Sequence, residues 1–139
     1  MRLALSGARA ALEQGEIPVG CVIVKDGGVI ASANNLVRQT GDMTAHAEML
    51  AIRQAGRYAL KGATMYVTLE PCPMCAGALA LSGVSRVIYG ASDAQYGCCG
   101  SVYRLTEDPA FPSFSPADGG LMKEDCEAIL KKGFDRMRK

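Results

Sequence analysis

Apolar positions recur at helical spacing at the start of the chain and as strand-like runs soon after, and that change of pattern sets the predicted order of elements. Leu5, Ala8, Ala11 and Leu12 fall on one face of a helix over residues 3–14, and Gly15 ends the pattern. Val19 to Lys25 is a β-rich run. Asp26-Gly27-Gly28 then supplies a turn and Val29 to Ala33 a second apolar stretch, which predicts a hairpin. Beyond a polar loop, Thr44 is placed to cap a helix from Ala45 to about Ala55. Ala63 to Leu69 predicts a buried strand, Pro73 to Leu81 a helix, and Val84 to Tyr89 another strand. Residues 91–101 form a Gly/Cys-rich loop. Residues 109–120 hold three prolines and two glycines, so any strand there is short and at an edge. Met122 to about Met137 predicts a closing helix, whose last turn Gly133 weakens.

Strands alternating with helices indicate a layered α/β domain, and the opening hairpin makes its sheet mixed. No repeat, low-complexity tract or linker interrupts the chain, so residues 1–139 read as one domain with a basic helix over about 122–139. Composition changes little in this picture. Hydrophobic residues make up 49% of the chain and charged ones 21%, the balance of a globular protein. No apolar stretch approaches the roughly 20 residues that span a bilayer, which predicts no membrane partner. The N-terminus begins like a signal peptide, but Arg9 and Glu13 break it early, and the expected location is cytoplasmic. The net charge of +1 is unevenly spread. Lys131, Lys132, Arg136, Arg138 and Lys139 oppose only Asp135 in the last nine residues, a local charge of +4.

The chemistry gathers in two short segments, Thr44-Ala45-His46-Ala47-Glu48 and Glu70-Pro71-Cys72-Pro73-Met74-Cys75. A chain of this size can build its core without disulfide staples, so clustered cysteines point to ligands or redox groups. Cys72 and Cys75 have the spacing at which two thiolates grip one zinc ion, and His46, the chain's single histidine, makes a third ligand. Three protein ligands leave a fourth tetrahedral position for water, as catalytic zinc sites do. Pro73 suits the first position of a helix, which makes Cys72 its N-cap and puts Cys75 one turn on. His46 and Glu48 are two residues apart and diverge on a helix by about 200°. They can share one site only if their helix meets it end-on. Glu48 is then the candidate to take a proton from water and hand it on. Three blander readings stand beside this one. Cys72 and Cys75 could be a redox pair, Cys98 or Cys99 could close a structural zinc site, and Glu48 could simply favour a helix N-terminus.

The order His-x-Glu followed by Pro-Cys-x-x-Cys resembles the zinc-dependent cytidine/deoxycytidylate deaminase superfamily. Within it the chain is most similar to bacterial tRNA-specific adenosine deaminases. Gly15 through Gly20, Thr44 through Glu48, Thr68 through Cys72, Met74 through Ala78, and the segment Asp93 to Ser101 carry that likeness. The resemblance implies a three-layer α/β/α fold around a mixed sheet of about five strands. It also implies one zinc per subunit, a homodimer, and conversion of the wobble adenosine of a tRNA anticodon stem-loop to inosine. By the same resemblance Asn35 would hydrogen-bond the base, Ala47 would offer its backbone N–H, and Val19 would pack beside the ring. Asp93 would lie near the flanking nucleotides, and the basic C-terminus would contact phosphates. The chain departs from the family pattern at Gln95, at Phe111-Pro112-Ser113-Phe114 and at Gly133, each of which removes or loosens an RNA contact. A deaminase of a free base or nucleoside, such as guanine or cytosine, and a zinc module that only binds RNA therefore remain alternatives.

Overall fold

The hairpin predicted from Val19 to Ala33 opens the sheet. In the computed structural model, which describes residues 1–56 and 59–138, strand β1 (Gly20–Lys25) turns through Asp26 and Gly27 into β2 (Gly28–Asn34). Both turn residues have positive φ, as a two-residue type I′ turn requires. Strands β3 (Thr64–Leu69), β4 (Arg86–Ala91) and β5 (Ala117–Asp118) complete a five-stranded sheet in the order β2-β1-β3-β4-β5. β1 runs antiparallel to β2 and β3, while β3, β4 and β5 are parallel, so the sheet is mixed as expected. The proline-rich segment supplies only β5, two residues at the edge.

Helices cover both faces, giving the three-layer α/β/α arrangement. α1 (Arg2–Glu13) lies on β1 and β2, and α5 (Lys123–Met137) lies beside it against β4. On the other face α3 (Ala47–Ala55) covers β1 and β2, next to α4 (Pro73–Ser82). The core between the layers is built from side chains such as Leu5, Ile23, Met65, Leu79 and Val87, all buried. No helix among the described residues is long and apolar enough to cross a membrane.

Three local expectations change. Thr44 does not cap α3; the helix begins two residues later, with His46 as N-cap. Asp42 takes Thr44 instead, its Oδ1 accepting both the backbone N–H (2.8 Å) and the hydroxyl (2.7 Å) of Thr44 in a turn. The polar loop before it contains a short helix, α2 (Val37–Thr40). Its N-terminal amides at Arg38 and Gln39 are accepted by the buried carboxylate of Glu16, at 3.1 and 2.7 Å.

Gly133 does not loosen α5. It is buried, and a Cβ there would run into the ring of Pro18. The glycine lets α5 approach closely at a point where Arg136 also donates to the Leu12 carbonyl at the end of α1 (3.3 Å). Gly133→Ala should therefore destabilise the protein by about 1–2 kcal/mol, because overlap with a rigid ring outweighs the gain in helix propensity. A thermal melt checks this, and an unchanged or higher Tm would contradict the tight contact. Lys139, counted above in the basic tail, lies outside the described residues.

Candidate active site

Two helix N-termini meet beyond the C-terminal end of the central strand, β3. β3 ends at Leu69, and Glu70-Pro71 leads directly into Cys72, the N-cap of α4, with Pro73 at the first helical position as predicted. His46 holds the same position on α3, with φ −72° and ψ 151°. That extended backbone resolves the two-residue spacing of His46 and Glu48. One is outside the helix and the other in its first turn, so both can face the same point. Neither cap residue uses its side chain to satisfy first-turn amides. Both helices therefore direct unsatisfied N–H groups and positive dipole ends toward the cluster.

His46 Nδ1 lies 3.6 Å from Cys72 Sγ and 3.5 Å from Cys75 Sγ, and the three donor atoms are all within 4.8 Å of one another. A tetrahedral zinc with bonds of about 2.0 Å to nitrogen and 2.3 Å to sulfur sets its N···S separations at about 3.5–3.6 Å. The donor set fits zinc in both chemistry and spacing. Cys98 and Cys99 are buried and unpaired with any disulfide partner, and neither joins the cluster among the described residues. Among the described residues no third thiolate closes the site as a fourth ligand.

Without a metal, the two cysteines share a proton. The Cys75 thiol donates to Cys72, and His46 adds to the effect, so the Cys72 thiol falls to about 4 while that of Cys75 is driven up. Hydrogen bonding to Cys72 raises the His46 imidazole. Burial lifts the Glu48 carboxyl to about 7, with the charge of Cys72 contributing further. An ionisable carboxyl held out of water beside three metal-type donors has the character of a proton-transfer group.

A cavity of about 470 Å³ opens onto His46, Glu48 and Cys72, with Cys75 buried behind them. Its size suits a small organic ligand such as a nucleobase. Val19, Asn35, Ala47 and Asp93, the four substrate contacts expected from the sequence, all line it. Of the three departures, Gln95 borders the cavity, whereas Gly133 and the Phe111–Phe114 segment do not.

Sequence reasoning missed two things here. α5 contributes Leu130 and Phe134 to the cavity wall. Glu70, buried at 2% exposure, suspends the whole Asp93–Ser101 loop. Its carboxylate accepts the backbone N–H groups of Asp93 (3.2 Å), Cys99 (3.1 Å) and Ser101 (3.0 Å), and the Ser101 hydroxyl. The signal was a lone glutamate closing an apolar strand before Pro71, but its partners lie more than 20 residues further on.

The sequence matches the model of the cytidine and deoxycytidylate deaminase zinc-binding region over residues 1–91. It is 43% identical to the tRNA-specific adenosine deaminase of Bacillus subtilis (strain 168), covering 100% of this chain and 89% of the relative. It is 47% identical to that of Aquifex aeolicus (strain VF5), covering 99% and 93%. Among solved structures, one from a study of A-to-I editing by deaminases acting at the wobble position of transfer RNA superposes with a TM-score of 0.88. It shares 42% identity and covers 93% of this chain and 96% of its own. A guanine deaminase from Nitrosomonas europaea superposes with a TM-score of 0.79 at 21% identity, over 94% and 80%, which is a likeness of fold.

Proposed function

As a member of the cytidine and deoxycytidylate deaminase zinc-binding family, the chain is a zinc-dependent hydrolytic deaminase, and we propose that it converts the wobble adenosine of a tRNA anticodon loop to inosine. The observation that carries this substrate is full-length identity of 43% and 47% to tRNA-specific adenosine deaminases.

His46, Cys72 and Cys75 hold one zinc per chain, which supplies the Lewis acidity that lets water act as a nucleophile near neutral pH. Glu48 takes a proton from the attacking water and delivers it to N1 of the purine. A second proton reaches the 6-amino group by the same carboxylate, and the C6–N bond breaks. Adenosine and water become inosine and ammonia. Ala47, the first residue of α3, offers the base an amide that helix geometry leaves without an intrahelical acceptor. Asn35 accepts from the Val37 amide (3.2 Å) and donates to the Ile17 carbonyl (3.3 Å), which fixes its plane. One Nδ2 hydrogen is left for the base. Val19 packs beside the ring, and Asp93 shapes the rim near the flanking nucleotides.

Residues 1–139 act as one deaminase domain, supported by a single core cluster that draws on all of the layers. The enzyme works in the cytoplasm as a homodimer. Leu81, 70% exposed beside Ile52 and Leu60 on the α3–α4 side, supports a second subunit there. Basic residues near the end of α5 add phosphate contacts.

Incubating the zinc-loaded protein with an anticodon stem-loop carrying adenosine at the wobble position should yield inosine and ammonia in equal amounts. Deamination of a free base has one observation in its favour: no Lys or Arg lines the cavity among the described residues. Rapid ammonia release from free guanine, with no inosine in the hairpin, would move the assignment there.

A further inference from the structure

The cavity that receives the base carries acidic groups (Glu48, Glu70 and Asp93) and no cation among the described residues. The cavity wall itself therefore offers a phosphate no ion pair with Lys or Arg. Aromatic rings stand at the wall instead. Tyr96, from the loop after β4, is 56% exposed, and Phe134, from α5, is 43% exposed, and both line the cavity.

We propose that Tyr96 is a stacking platform for a nucleobase flanking the reacting adenosine. The inference rests on the RNA substrate proposed above. Moving the target adenosine into the cavity unstacks its neighbours and leaves a base face without a partner. The Tyr96 ring is exposed, yet the structure around it is fixed. Asp93 Oδ1 accepts the backbone N–H of Gln95 (2.9 Å) and of Tyr96 (3.0 Å). Cys98 Sγ donates to the Tyr96 carbonyl (3.4 Å), and Gln95 Nε2 donates to the phenolic oxygen (3.2 Å). The loop as a whole is tied to Glu70 at both ends, through Asp93 and Ser101. A ring held this way loses little freedom when a base settles on it, and a tyrosine has few torsions to freeze. The hydroxyl has its partner within the protein, so the free face of the ring is what it presents to a ligand. Every nucleobase has a π-face, and this contact therefore strengthens binding without reading sequence.

Steady-state deamination of an anticodon stem-loop by the zinc-loaded full-length protein tests the assignment. Tyr96→Ala should raise KM by about 5- to 150-fold, the range that base–aromatic stacking spans, with less than about a threefold change in kcat and unchanged zinc content. Tyr96→Phe should restore the wild-type KM, since it keeps the ring. A Tyr96→Ala enzyme with wild-type KM would overturn the proposal. So would a Tyr96→Phe enzyme as weak as Tyr96→Ala, because the hydroxyl would then be the binding group. Inosine formation by the wild type decides the substrate separately. A stem-loop with 2-aminopurine beside the wobble position reads stacking without turnover. Its fluorescence should be quenched on binding wild type and Tyr96→Phe, but not Tyr96→Ala, and equal quenching by all three would also overturn the proposal.

Discussion

Glu48→Gln should give a protein that folds, holds one zinc per chain and deaminates about 10²- to 10⁴-fold more slowly than wild type, the range that general acid–base catalysis supplies. The amide has the shape of the carboxyl and no basic site of comparable strength, so only the proton transfer is removed. The other carboxylates that line the cavity already accept backbone amides. His46 Nδ1 is turned to the sulfurs of Cys72 and Cys75, at 3.6 and 3.5 Å. Glu70 uses both carboxylate oxygens to hold the Asp93–Ser101 loop. Asp93 Oδ1 is committed to two backbone amides. Burial already opposes charge at position 48, which lifts the carboxyl to about 7, so a neutral amide is tolerated there. The melting temperature should therefore not fall, which separates a chemical defect from a folding one. Single-turnover inosine formation measures the rate, and elemental analysis the zinc. A variant that kept more than a tenth of the wild-type rate would remove Glu48 from the proton relay.

The features read correctly from the sequence are those set by neighbours in the chain. The hairpin follows from an Asp-Gly turn between two β-rich runs. Pro73 fixes the start of α4 and with it the common side of Cys72 and Cys75. The metal site was legible because half of it is a four-residue motif and the other half is the single histidine. What was not legible depends on contacts distant in sequence. Thr44 is as good an N-cap by residue type as any, but Asp42 engages it in a turn, which moves the helix start to His46. Gly133 reads as a weak point by propensity, and only the approach of Pro18 from the loop before β1 reveals it as a contact. Glu16 and Glu70 look like ordinary polar residues along the chain. In the fold each is buried and holds together a loop that borders the cavity. Glu16 fixes the start of α2 beside Asn35, and Glu70 fixes the loop after β4. The metal-type donors come from two helix ends, and two of the loops beside them are held by these two carboxylates. The three buried glutamates thus differ in position: Glu48 lines the cavity beside His46 and Cys72, while Glu16 and Glu70 are spent on backbone amides.

Removal of a metal ligand should cost more than any change to the walls. Cys72→Ala is the informative choice because Cys72 is only half-buried at a helix cap, so truncation opens no core cavity. Cys75 is completely buried, and replacing it would mix lost ligation with lost packing. With one thiolate gone, His46 and Cys75 leave only two ligands, and zinc should fall from one per chain to near zero after dialysis, with deamination lost alongside it. Metal binding to the folded state adds to stability, since the ligand cluster exists only there. The variant should accordingly melt several degrees below the zinc-loaded wild type. A strong chelator should bring the wild type down to nearly the same temperature and leave Cys72→Ala unmoved. Convergence of the two melting curves identifies the metal, and not the thiol's own packing, as the source of the difference. Full zinc occupancy in Cys72→Ala would exclude Cys72 as a ligand. It would also reopen a site completed by some other group, for which Cys98, whose backbone N–H donates to the Pro71 carbonyl (2.9 Å), would be the first residue to replace.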